Sequence, residues 1–117
     1  MAIDGALAGT AWRPVDIAGA AVPATTPLMV RFDIDGGLSG HGGCNAFTGF
    51  YALDRVNLTI GPLAMTRMAC PPGIMRREAA FVAALDATRL FLRDGARLTF
   101  KDARGASLLR LVQIDPA

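Results

Sequence analysis

The chain reads GCNAFTGFY over residues 43–51 and MTRMAC over residues 65–70, and each stretch contains one of its two cysteines, Cys44 and Cys70. Glycine and asparagine beside Cys44 are typical of a turn that leads into a strand. Two cysteines in such similar sequence contexts suggest a single domain that is covalently cross-linked. Neither stretch predicts a reaction by itself.

The length and composition predict one globular domain over residues 1–117. Hydrophobic residues make up 52% of the chain, which is ample material for a core. The apolar runs are interrupted by Arg, Asp, Gly or Pro well before the ~18 residues that a bilayer-spanning helix needs. The first twelve residues contain Asp4 but neither Lys nor Arg, so no secretory signal is visible. A leader or lipid anchor that has been removed stays an alternative.

The charged residues predict a mixed, solvated surface. The net charge is +2, from eleven Arg and Lys101 against nine Asp and Glu78. No run of cations extends beyond Arg76 and Arg77. Nucleic-acid surfaces cluster their cations and interleave aromatic side chains on one face, whereas the aromatic residues here lie mostly in apolar alternation. We therefore expect no nucleic-acid partner.

Alternating apolar residues predict that most of the chain forms β-strands. Residues 28–34 and 56–60 alternate with a period of two, and glycine follows each run. Residues 90–100 hold an Asp-Gly pair between two apolar runs, which is a strong hairpin signal because both residues tolerate a positive φ. The first and the closing strand are predicted over residues 10–17 and 108–114.

A single helix is predicted near residues 74–88, where a Pro-Pro-Gly sequence ends the preceding strand and alanines supply helix propensity. Ile74, Phe81 and Leu85 share one face of this helix. Glu78 lies on the same face, so a carboxylate is directed inward. One helix cannot bury its apolar face alone. The sequence thus predicts an α+β fold, with a curved, partly closed antiparallel sheet of about seven to eight strands wrapped on the helix.

Four short motifs, taken together, resemble one known family. The chain has GTAW at residues 9–12, GCN at 43–45, TRMAC at 66–70 and EAAFVAAL at 78–85. With this combination the chain resembles the META domain family, which includes the bacterial heat-shock protein HslJ, and the match runs nearly end to end. The resemblance assigns motif or structural roles to Trp12, Gly43, Asn45, Gly49, Tyr51, Thr66, Met68, Glu78, Phe81 and Leu85.

The resemblance also implies a place for the protein in the cell. Domains of this family are often exported or anchored as lipoproteins in the bacterial envelope, and they are associated with heat shock or antibiotic tolerance. No enzymatic activity is established for the family. The resemblance therefore implies a stress-linked domain of the cell envelope, and the cytoplasm stays an alternative because no export signal is visible.

The cysteines allow several interpretations. If Cys44 and Cys70 pair, the bond closes a loop of 27 residues, which stabilises the fold by about 3 to 4 kcal/mol and favours an oxidising compartment. A catalytic or redox thiol beside His41 is an alternative, although an extended strand places His41 and Cys44 on opposite sides. A zinc site of these three residues lacks the usual paired spacings. Buried free thiols are the remaining alternative.

Two polar residues are interpreted structurally. A buried carboxylate needs partners, so Glu78 is expected to accept backbone N–H groups or to pair with an arginine near the Cys70 loop. Its use as a general acid is the alternative, but the sequence shows no second positioned group. Asn45 beside Gly43 is expected to cap a turn through its side chain.

Glycines and methionines surround the cysteine motifs. The glycine-rich stretch over residues 36–43 leads into a strand rather than a helix, which disfavours a phosphate loop and favours turns, a bulge or close backbone approach. Met65, Met68 and Met75, together with Met29, are candidates for lining an adaptable apolar groove. A place in the core is the alternative for each of them.

The sequence and the resemblance together favour a noncatalytic accessory or binding domain of the envelope, with no catalytic residue, cofactor or metal. Its partner would be an unidentified protein or lipid, and the oligomeric state stays open. One alternative is a thiol-dependent enzyme or redox module that uses Cys44 or Cys70. Another is a structural lipoprotein domain that serves as a spacer.

Overall fold

Ten strands and one helix make up the computed structural model, which describes residues 6–114. The elements are β1 (Thr10–Ile17), β2 (Ala20–Ala21), β3 (Leu28–Phe32), β4 (Gly37–Gly42), β5 (Ala46–Asp54), β6 (Asn57–Ile60), β7 (Ala64–Met65), α1 (Pro72–Ala87), β8 (Leu90–Asp94), β9 (Arg97–Lys101) and β10 (Ser107–Gln113). Strands dominate, so the expected α+β class describes the fold only in part. The expected first strand coincides with β1.

Eight of the strands close into an antiparallel barrel. They follow the order β1-β3-β4-β5-β6-β8-β9-β10, and β10 pairs with β1 to complete the ring. The short strands β2 and β7 pair with β1 and β5 beside it. The eight strands of the barrel agree with the seven to eight that the sequence predicts. The barrel is closed, however, so the expectation of a partly closed sheet is wrong. Closure gives the outer edges of β1 and β10 a hydrogen-bonding partner, and register shifts after Pro14 and Ser107 bend the strands.

Aromatic side chains fill the interior of the barrel. Trp12, Phe32, Phe47, Phe81 and Phe100 are all buried. Phe32 and Phe100 meet edge to face with ring centroids 6.1 Å apart, and Phe47 meets Phe81 at 5.9 Å in the same way. Such aromatic pairs add specific geometry to the burial of a large apolar area. Phe81 comes from α1, so the helix is part of the core.

The helix packs against β1, β4, β6 and β10. These strands lie on different sides of the barrel, so α1 covers one of its ends. Glu78, Phe81 and Leu85 face inward, as the periodicity predicts. Ile74 does not, because it lies in the first turn at the rim and keeps 38% of its surface exposed. No helix of the described part is long and apolar enough to cross a membrane.

The structure differs from the sequence-based predictions in four local details. Ile34 and Val56 were placed in strands, but β3 ends at Phe32 and β6 begins at Asn57, which leaves both side chains exposed. The glycine-rich stretch forms the strand β4 rather than only turns. In the β8–β9 hairpin, Asp94 pairs with Arg97, so the two loop residues lie one position later than the Asp-Gly pair.

Candidate functional site

A disulfide between Cys44 and Cys70 links the β4–β5 turn to the segment that precedes α1. Cys44 is buried and Cys70 is half-buried. The bond joins two loops that are 26 residues apart in sequence, at the end of the barrel where the helix begins. Because both sulfur atoms are consumed in the bond, neither is a free nucleophile or a thiolate ligand in this structure.

Glu78 connects the helix to the same turn. Its Oε2 atom accepts hydrogen bonds from the backbone N–H groups of Cys44, at 3.0 Å, and of Asn45. Its Oε1 atom accepts a third bond from Nδ2 of Asn45 at 2.8 Å. The side chain is only 4% exposed. The partners that hold this buried carboxylate are therefore amide N–H groups, which is one of the two arrangements expected from the sequence.

Asn45 lies at the centre of the network. Its Oδ1 atom accepts hydrogen bonds from Oγ1 of Thr66 at 2.9 Å and from the backbone N–H of Met68 at 2.6 Å. Its Nδ2 atom donates to the carbonyl of Met68 at 3.3 Å as well as to Glu78. Asn45 thus joins the turn, the segment before the helix and the helix itself. The expected role was a local turn cap, and the long-range bonds are what the sequence did not reveal.

Two glycines make room for this arrangement. A Cβ atom on Gly42 would lie 2.5 Å from Cγ of Glu78, so only glycine lets the carboxylate reach the turn. Gly43 has a φ of +102°, a backbone conformation that L side chains rarely adopt. The turn that presents the N–H groups of Cys44 and Asn45 therefore depends on both glycines.

Hydrogen bonding decides the charge of Glu78. Burial by itself would raise the pKa of this carboxyl group, but hydrogen bonds from the Asn45 side chain and from the N–H groups of Asn45 and Cys44 lower it, and His41 adds in the same direction. The net pKa lies below its ordinary value. Glu78 is thus an ionised, fully occupied acceptor at neutral pH. It ties segments together and holds no proton that it could donate.

His41 makes a local contact in this region. Its Nδ1 atom accepts a hydrogen bond from the backbone N–H of Gly43 at 3.0 Å. That contact fixes the ring on the turn beside Cys44, whose sulfur is already bonded to Cys70. Among residues 6–114 there is no group of three His, Cys, Asp or Glu side chains that could hold a metal ion.

The methionines of the Cys70 segment line two adjoining surface depressions of about 630 and 660 Å³. Met65 and Met75 line both, and Met68 lines the second. Leu63 also lines both depressions, while Val82 lines only the first. Met29, which the sequence grouped with them, lines a different depression on β3. Met68 is 60% exposed and therefore does not belong to the core.

The other motif residues lie in the barrel. The indole N–H of Trp12 donates to Oγ1 of Thr10 at 2.7 Å, and the guanidinium of Arg93 lies 5.0 Å from the ring centroid of Trp12. The hydroxyl of Tyr51 donates to the carbonyl of Asp33 at 2.7 Å. Gly49 lies on β5. Arg93 could not be identified from the sequence, since only the fold brings it to Trp12.

These features define a class of protein: a small antiparallel β-barrel with one end covered by a helix, and with a disulfide-linked Gly-Cys-Asn turn held by a buried glutamate. A sequence model of the META domain matches residues 5–115. The chain therefore belongs to the META domain family.

Solved structures share the fold. The chain is similar to a protein from Burkholderia xenovorans solved by NMR, with 26% identity and a TM-score of 0.71 over 97% of this chain and 87% of the other. It is also similar to a DUF4847 family protein from Bacteroides vulgatus, solved by crystallography, with 15% identity and a TM-score of 0.69 over 94% of this chain and 96% of the other. Comparison with curated proteins gives no match.

Proposed function

We propose that this META domain is a noncatalytic accessory or binding domain of the bacterial cell envelope that is linked to the stress response. The Cys44–Cys70 disulfide is the observation that carries the proposal. Disulfides persist in the periplasm and on cell surfaces, whereas the cytosol keeps thiols reduced. The stress link rests on membership of the family alone.

The chemistry of the candidate site supports a structural role. A thiol-dependent enzyme needs a free thiolate, and the sulfur atoms of Cys44 and Cys70 are bonded to each other. General acid catalysis needs a carboxyl group with a raised pKa, but the pKa of Glu78 is lowered. Asn45 has its side-chain oxygen and nitrogen engaged within the protein. The groups of this cluster therefore face one another rather than a substrate.

Thiol trapping in cells tests the proposal. Cells that express the protein from its natural gene are fractionated, the fractions are denatured in the presence of an alkylating agent, and intact mass is measured with and without prior reduction. We expect no label on Cys44 and Cys70 without reduction and two labels after it, in the envelope fraction. Two labels without reduction in the cytosolic fraction would overturn the envelope assignment. Rapid labelling of one cysteine in native protein would instead favour the thiol-dependent alternative.

A further inference from the structure

One surface of the protein combines exposed apolar side chains with arginines. It lies at the end of the barrel where the disulfide joins the segment before α1 to the β4–β5 turn. We call it the basic apolar surface and define it as Arg67, Met68, Ile74, Met75, Arg76 and Arg77.

The apolar members reach the protein surface. Met68 is 60% exposed, Met75 40% and Ile74 38%. Met68 and Met75 line one depression together with Arg67, and Ile74 lines another together with Arg77. The two depressions have no lining residue in common, but Ile74 and Met75 are consecutive in the first turn of α1 and place them side by side. Apolar side chains exposed next to one another are candidates for contact with a partner.

The charge of the same region has one sign. Residues 66–77 contain three arginines and no acidic residue, whereas the rest of the chain holds nine basic and ten acidic residues. Glu78 follows directly in sequence, but it is buried and occupied by the N–H groups of Cys44 and Asn45. Asp86 lies two further turns along, at the far end of a depression that Met75 also lines. This segment therefore carries a net charge of +3, whereas the rest of the chain carries a net charge of −1.

The backbone under this surface is held in place. The disulfide fixes Cys70, and the amide of Asn45 bonds both the N–H and the carbonyl of Met68. The backbone N–H of Cys70 also points to Sδ of Met75 at 3.5 Å. A surface that is ordered before binding loses less conformational entropy when it docks.

We propose that the basic apolar surface binds the headgroup region of an anionic lipid bilayer. Arginine pairs with phosphate groups in a bidentate manner, and methionine and isoleucine side chains enter the boundary between headgroups and acyl chains. Three cations beside a small apolar area match a surface with negative potential. This inference rests on the envelope assignment proposed above and names the partner of that domain.

Vesicle co-sedimentation tests the inference with purified, oxidised protein. The probes are vesicles of phosphatidylcholine alone and vesicles that contain phosphatidylglycerol as a minor component. We expect binding to the anionic vesicles only, and binding that weakens steeply as salt is raised. Each arginine contributes about fivefold in affinity near such a surface. The triple variant Arg67→Gln, Arg76→Gln, Arg77→Gln should therefore bind at least an order of magnitude more weakly.

A second triple variant provides the matched control. Arg97→Gln, Arg104→Gln, Arg110→Gln removes the same charge from exposed positions elsewhere, and it should retain most of the binding. Equal losses in both variants would show that net charge alone acts and would overturn the inference. The double variant Met68→Ser, Met75→Ser should weaken binding but keep its salt dependence. The thermal midpoint of each variant is compared with that of the wild type to verify folding.

The remaining outcomes are also decisive. Equal binding to neutral and anionic vesicles, or no binding by the wild type, would overturn the inference. Binding to soluble polyglutamate as tight as to anionic vesicles would show that the partner is an acidic chain rather than a bilayer. Thiol trapping in cells reports the compartment independently. If it finds the disulfide while vesicles fail to bind, the lipid inference falls and the envelope proposal stands.

Discussion

The two ends of β4 are held in different ways. At its carboxyl end, the Gly43–Asn45 turn is bonded to partners 21 to 34 residues away, through the disulfide, Glu78 and Thr66. At its amino end, the turn over residues 33–36 is closed mainly by its own atoms. The backbone N–H of Asp33 donates to the carbonyl of Gly37 at 2.8 Å, and the Asp35 carboxylate accepts the N–H of Gly37 at 2.9 Å.

The electrostatics of the two turns are opposite as well. Around Glu78, amide N–H donors gather at a carboxylate and lower its pKa below the ordinary value. Around Tyr51, burial raises the pKa of the phenol, and the carboxylates of Asp33 and Asp35 raise it further. One end of β4 therefore stabilises an anion, while the other end disfavours one. We therefore expect the larger contribution to stability where distant segments meet, and four measurements test this expectation.

The largest effect should come from the disulfide. Replacing Cys44 or Cys70 with alanine frees a loop of 27 residues in the unfolded chain and should lower the free energy of unfolding by about 3 to 4 kcal/mol. The double variant should be no less stable than the weaker single variant, because each change breaks the same bond. Urea unfolding measures all three. Additive losses would show that the cysteines act independently.

The second effect concerns Glu78. The variant Glu78→Ala leaves three buried N–H donors without their acceptor, and we expect a loss of about 2 to 4 kcal/mol. Asp86→Ala is the control on the same helix, because Asp86 is exposed and should change stability by less than about 0.5 kcal/mol. Thermal unfolding compares the two. Equal midpoints would contradict the role of Glu78 as a link between helix and turn.

Lowering the pH should reduce the stability of the fold by a smaller amount. The folded-state pKa of Glu78 lies below the ordinary value of 4.5, so folding favours its ionised form. This contribution to stability is fully present above that ordinary value and is lost as the pH falls through the lower folded-state pKa. Protonation of Glu78 should lower the free energy of unfolding less than Glu78→Ala does, because the protonated carboxyl group keeps its oxygen acceptors.

The measurement is the urea midpoint of unfolding between pH 6 and pH 3, in the wild type and in Glu78→Gln. Stability of the wild type should fall more steeply in this range, because the variant lacks the titrating group. Asp86→Asn serves as the control and should follow the wild type. Parallel curves for the wild type and Glu78→Gln would assign the acid sensitivity to other carboxylates.

The smallest effect is expected at the other end of β4. Tyr51→Phe removes the hydrogen bond from the phenol to the Asp33 carbonyl and should cost about 1 kcal/mol. The ring keeps its edge-to-face contact with Phe32, so packing is preserved. Denaturant unfolding measures the loss, and Ile34→Ser at an 84% exposed position is the neutral control. A loss as large as that of Glu78→Ala would remove the contrast between the two turns.

Local sequence patterns predicted the elements whose conformation is determined by the residues within them. Phe81, Leu85 and Glu78 follow the helical period, and the structure buries all three. Period-two alternation located β3 and β6, apart from Ile34 and Val56 at their ends. The strand β4 was missed because glycines occupy half of its positions, so Leu38 is its one buried large apolar residue and no alternation is visible.

Contacts between distant segments could not be predicted in the same way. Nothing near Asn45 in the sequence indicates that its amide will bind Thr66, Met68 and Glu78. Ile74 fits the helical period but lies at the rim, where the barrel no longer covers it. The ring closure depends on a pairing between the first and last strands, which leaves no local signal in either.

That closure also sets an order of events during folding. Trp12 of β1 pairs with Gln113 of β10, so the barrel stays open along one seam until β10 is present. Contacts this far apart in sequence are slow to form, because the entropy of a long loop must be lost first. A ribosome-bound chain without β10 would expose the unpaired edges of β1 and β9. The β1–β10 seam is therefore the pairing that we expect to form last.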